Sequence, residues 1–125
     1  MEIKDFKVLI CDDSMLVRRN LKKHLEESGC QHICEAVNGE EAVEKYKEFQ
    51  PDLVMMDIVM PLKTGIEALK EIKAFDKDAY VVMASSVGTQ SKLKDAIVAG
   101  ASDFLQKPFE MSTVDQLVKR ILDKK

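Results

Sequence analysis

Along this chain, short apolar runs alternate with longer segments whose apolar positions recur at helical spacing. Phe6 to Cys11 is a compact, mostly apolar run that stops at Asp12-Asp13, which predicts a buried strand. Ser14 then stands where a helix cap is needed. Val17, Leu21 and Leu25 follow four apart, and Gly29 supplies the stop. Ile33 to Val37 reads as a weaker second strand. Asn38-Gly39 turns the chain into a second helix with Ala42, Val43, Tyr46 and Phe49 on one face, halted before Pro51. Leu53 to Met56 is a continuous apolar run ending at Asp57. Pro61 and Gly65 bracket a loop, and Ile66, Leu69, Ile72 and Lys73 mark a third helix.

The rhythm continues to the end of the chain. Tyr80 to Ala84 predicts a fourth strand, followed by a small polar loop from Ser85 to Gln90. A helix from about Ser91 is expected to turn Leu93, Ile97 and Val98 inward and to end at Gly100. Asp103 to Gln106 predicts a short fifth strand, stopped by Lys107-Pro108. Val114, Leu117, Val118, Ile121 and Leu122 line the last helix. Five strands alternating with five helices predict an α/β fold with a parallel sheet covered on both faces.

Composition narrows the function classes. With 125 residues the chain is expected to be one domain, large enough to hold together without disulfides or structural metal. Nineteen Lys and Arg against 22 Asp and Glu leave a charge of −3, which argues against a nucleic-acid binder. No apolar run reaches the ~20 residues of a membrane span, and the mixed Met1–Asp5 start is not a secretory signal. Cys11, Cys30 and Cys34 are odd in number and form no C-x-x-C pair. They read as reduced thiols of a cytoplasmic protein.

In an open parallel sheet the functional edge lies beyond the carboxyl ends of the strands. The first strand ends in Asp12 and Asp13, the third in Asp57, the fourth in Ser85 and the fifth in Lys107. Two carboxylates about 5 Å apart repel by roughly 3 kcal/mol at an effective dielectric of 20, so the cluster calls for a cation. A few carboxylates with retained waters suit Mg²⁺. A phosphoryl group in transfer spreads its charge over three oxygens, for which a metal, Lys107 and Ser85 supply partners. Asp57 then serves as the nucleophile. The residues point to metal-dependent aspartyl phosphorylation.

The same residues fall into a known pattern: C-D-D-S at 11–14, M-D-I-V-M-P at 56–61 with Gly65, A-S-S at 84–86, and A-G-A-S-D-F-L-Q-K-P-F at 99–109. Over essentially its whole length the chain resembles the receiver domain of two-component response regulators, most closely the stand-alone chemotaxis members. The resemblance implies a flavodoxin-like, doubly wound sheet of order 2-1-3-4-5. It also implies that residues 1–125 are a single receiver domain with no output domain. A sensor histidine kinase would phosphorylate Asp57. Asp13, Asp57 and the backbone carbonyl of Val59 would hold Mg²⁺ directly, and Asp12 through water. Lys107 and Ser85 would contact the phosphoryl group, Ser85 and Phe104 would form the switch pair, and Lys107-Pro108 would be cis.

Val59 and Val87 stand where the family tunes phosphoryl lifetime. Both are apolar, which implies slow self-dephosphorylation and a separate phosphatase. The implied output is a monomer that binds an effector protein when phosphorylated, with the flagellar motor switch as the favoured target. A phosphorelay intermediate, docking beside Asp57 and serving a phosphotransferase, is the alternative. A haloacid-dehalogenase-type phosphatase fits less well, because it needs D-x-D where this chain has adjacent aspartates. A receiver is consumed as a substrate rather than turning over, so no enzyme in the ordinary sense is expected. His24 and His32 read as surface residues.

Overall fold

Which face of each strand a side chain takes is decided by alternation, and both faces of this sheet are apolar. In the computed structural model, which describes residues 1–125 apart from the side chain of Val87, five strands form one parallel sheet. They are β1 (Lys7–Cys11), β2 (His32–Ala36), β3 (Leu53–Asp57), β4 (Val81–Ser85) and β5 (Asp103–Gln106). Leu9, Cys11, Val54, Met56, Val81 and Met83 enter one core layer, while Val8, Ile10, Leu53, Met55, Val82 and Leu105 enter the other. That is why the strands read as continuous apolar runs rather than alternating ones.

The helices are α1 (Met15–Glu27), α2 (Gly39–Phe49), α3 (Gly65–Phe75), α4 (Leu93–Val98) and α5 (Met111–Lys124). Helices α2, α3 and α4 cover the first layer, and α1 and α5 cover the second. Side-chain caps from Ser14, Asn38 and Thr64 start α1, α2 and α3. Each absorbs a backbone N–H that the first turn leaves without a partner. The strand order is 2-1-3-4-5, as expected. It reverses between β1 and β3, so the crevice at their carboxyl ends is where such sheets place their ligands.

One expectation fails. Ile97 and Val98 are not turned inward but are 59% and 81% exposed, whereas Ala96 is fully buried. The segment 87–92 is a 3₁₀ helix rather than a loop, and α4 proper has only six residues. The inward face is Leu93, Ala96, Ala99 and Ala101. Small side chains let this backbone lie close to the sheet, which leaves the bulkier Ile97 and Val98 on the outside. His24 is half-exposed on α1, with Nε2 2.7 Å from Oδ1 of Asp115 on α5. Among the described residues no helix is long and apolar enough to cross a membrane.

Candidate functional site

The first strand delivers Asp12 and Asp13 to the sheet edge, and β3 delivers Asp57 from the next strand. Carboxylate oxygens of Asp12, Asp13 and Asp57 lie within 4.8 Å of one another. Lys107, just beyond β5, sends its ammonium across to them: Nζ is 2.7 Å from Asp12 Oδ2 and 3.3 Å from Asp57 Oδ2. Three carboxylates and one ammonium leave two negative charges on oxygen donors. That donor set fits a hard divalent cation such as Mg²⁺.

The three carboxylates are not equivalent. Asp12 is buried and both its oxygens are engaged, Oδ1 by the Ser14 N–H at 2.9 Å and Oδ2 by Lys107. Asp13 is exposed. Asp57 is 12% exposed at its side chain, and only the longer of the two Lys107 contacts reaches it. Burial and the neighbouring Asp12 charge push its carboxyl above the ordinary range, and Lys107 offsets this only in part. Burial opposes the Lys107 charge, yet its bond to Asp12 and the Asp57 charge outweigh that and raise its pKa. Lys107 is therefore chiefly the partner of Asp12. Asp57 is the carboxylate left under-compensated.

The remaining candidates stand around this cluster. Ser85 closes β4 one residue beyond Ala84, the register partner of Asp57, and its carbonyl accepts the Lys107 N–H at 2.7 Å. Phe104 pairs with Met83 and Ser85 with Gln106, so Ser85 and Phe104 are diagonal neighbours on one face of the sheet. Phe104 is half-buried, against the layer that α2, α3 and α4 cover. Val59 is exposed at the start of the loop after β3, and the Lys107–Pro108 peptide is cis. The side chain of Val87 lies outside the described residues.

Residues 8–121 match the response regulator receiver domain. The chain belongs to that family. The receiver is 48% identical over 116 residues to the chemotaxis protein CheY of Halobacterium salinarum, covering 93% of this chain and 96% of the relative. To CheY of Bacillus subtilis it is 48% identical over 117 residues, covering 94% and 98%. In three dimensions it is similar to a chain of the crystallised CheX–CheY–BeF₃–Mg²⁺ complex of Borrelia burgdorferi. There the TM-score is 0.85 at 39% identity, over 94% of this chain and 89% of that one.

Two residues of the receiver, Arg18 and Thr89, were not singled out by sequence. Arg18 donates to the Asp12 carbonyl at 2.8 Å and pairs with Glu35, which ties α1 to the site edge. Its signal was faint, a cation four residues after the Ser14 cap. Thr89 is buried and its hydroxyl oxygen accepts the Ser86 N–H at 2.8 Å, so Ser86 and Thr89 together fold the 3₁₀ turn. Gly65 admits the closest approach at the site. A Cβ there would stand 2.9 Å from the Asp57 carbonyl carbon, 3.0 Å from Ile58 Cα and closer still to the Asp57 oxygen. These are backbone atoms that cannot swing away. Gly65→Ala is expected to cost about 2 kcal/mol, or about 8 °C in Tm. Calorimetry checks this, and a wild-type melt would show that the loop absorbs the added carbon.

Proposed function

We propose that this receiver is a phosphorylation switch in which Asp57 takes a phosphoryl group from a phosphohistidine of a sensor histidine kinase. What supports this is the asymmetry of the carboxylates: Asp12 is saturated and Asp57 is not. An Asp57 oxygen attacks phosphorus, the P–N bond breaks, and the imidazole leaves carrying a proton, which yields an acyl phosphate. Asp13, Asp57 and the Val59 carbonyl would hold Mg²⁺, with Asp12 acting through water, and the ion would neutralise charge gathering on the phosphoryl oxygens. Lys107 and the Ser85 hydroxyl take the other phosphoryl oxygens.

Drawing Ser85 toward the phosphoryl group empties space beside Phe104, its diagonal neighbour, and the ring turns in to fill it. Partner binding follows from that repacking. The similarity to chemotaxis proteins favours an effector of the flagellar motor-switch kind, and in this reading the receiver acts as a cytoplasmic monomer. The exposed Met15 and Leu16 at the start of α1, beside the site, fit the second reading, a relay that hands the phosphoryl group to a phosphotransferase. Apolar Val59 leaves the attacking water without a side-chain hydrogen bond, which makes the phosphoryl group long-lived and gives a phosphatase its role.

Intact-mass spectrometry after incubation with acetyl phosphate and Mg²⁺ tests the chemistry. The expected result is one added phosphoryl group (~80 Da), absent when EDTA removes the metal. An unchanged mass with Mg²⁺ present, or the same gain in EDTA, overturns the reading.

A further inference from the structure

The loop joining β3 to α3, residues 58–64, carries Val59 and is fixed by its backbone. The Gly65 N–H donates to the Ile58 carbonyl at 2.8 Å, which closes the loop at its base. Within it, the Lys63 N–H donates to the Pro61 carbonyl at 2.8 Å, a γ-turn centred on Leu62. The φ of Leu62 is +68°, and a γ-turn of that sense is rare and strained for a residue with a side chain. The Leu62 side chain is 80% exposed, so packing does not hold the turn. Something else must.

That contact comes from α2. The Lys63 carbonyl accepts the N–H of Gly39, the first residue of α2, at 3.1 Å. The helix cap leaves this donor available, because Asn38 Oδ1 takes the Glu41 N–H instead. A Cβ at position 39 would stand 2.7 Å from the Lys63 carbonyl carbon, 2.8 Å from Lys63 Cβ and closer still to the oxygen. Only glycine lets the loop come this near. On its far side the Lys63 ammonium is tied to Glu71 of α3.

We propose that Gly39 is a positioning residue for the phosphorylation site: its N–H and its missing side chain hold the strained loop that presents Val59. The inference rests on the metal reading proposed above. Freed from Gly39, Leu62 relaxes to negative φ and carries the segment from Val59 to Pro61 with it. A glycine needed only for folding would affect stability and leave metal affinity alone. A positioning glycine affects both.

Calorimetric titration of the unmodified full chain with Mg²⁺ separates the two. Gly39→Ala is expected to weaken Mg²⁺ binding about tenfold, the scale on which groups that orient ligands act. Ile121→Ala, a core truncation in the opposite layer, should lower Tm and leave the Mg²⁺ Kd within about twofold of wild type. If Gly39→Ala does not fold in buffer, all variants are titrated in trimethylamine N-oxide, which favours the compact state. Wild-type Mg²⁺ affinity in Gly39→Ala overturns the proposal. Asp13→Asn tells that outcome from failure of the metal reading: if it binds Mg²⁺ as wild type does, the ion is not held at this site and both inferences fall.

Discussion

Asp57→Asn is expected to abolish the phosphoryl mass gain completely while making the metal-free protein more stable. The loss follows from chemistry, since an amide oxygen is a poor nucleophile and neither Asp12 nor Asp13 can replace it. Asp12 has both oxygens engaged, and Asp13 sits exposed at the rim. The gain in stability follows from the electrostatics. Burial and the Asp12 charge raise the Asp57 carboxyl above its ordinary value, so folding disfavours the ionised form. For a carboxyl raised in this way, the deficit is full above the folded pKa and disappears as pH falls below the ordinary carboxylate range. Asp57→Asn should therefore gain about 1 kcal/mol at neutral pH, about 4 °C in Tm, and little or nothing in acid. Urea melts in EDTA at pH 7.5 and near pH 3, below the ordinary carboxylate range, check the sign. A variant less stable than wild type at neutral pH would mean that the Lys107 contact outweighs the repulsion. Function then opposes stability at this one position.

Most of the architecture was legible because each element carried its own punctuation. Apolar runs ending in Asp, Ser or Lys marked where strands reach the working edge, and Ser14 and Asn38 marked helix starts that the structure uses. The misread element, α4, is the one whose period was wrong. Leu93 is inward as its spacing predicts, but Ile97 and Val98 mimic core by bulk alone, while the rest of the buried face is made of alanines that are silent in a hydropathy pattern. The site shows a similar division. Charged residues at strand ends can be read from order alone, because the topology must bring them together. Contacts made by backbone atoms leave no such trace. That Gly39 meets the Lys63 carbonyl, or that Lys107 sits closer to Asp12 than to Asp57, depends on distances between segments far apart in the chain.

Lys107→Ala should move two properties of this receiver in opposite directions, and that opposition distinguishes charge from scaffolding. Lys107 is the only cation within ion-pair reach of Asp12 and Asp57 among the described residues. Without it, two largely buried carboxylates face each other beside Asp13. The metal-free protein should lose about 2 kcal/mol, less than for a fully buried pair because the Lys107 tip is partly solvated and Asp12 keeps its Ser14 N–H. The same excess of negative charge should tighten Mg²⁺ binding about tenfold, since no ammonium competes for the oxygens. Phosphorylation by acetyl phosphate should nevertheless slow about 100-fold, the usual effect of removing one preorganised partner of a developing oxyanion. Calorimetric titration gives the affinity and time-resolved intact mass gives the rate. If affinity and rate fell together, Lys107 would be a strut that holds β5 against the site, and its charge would be incidental. Tighter metal with slower transfer would identify the ammonium as a partner of the phosphoryl group, one that rests on Asp12 until the phosphoryl group arrives.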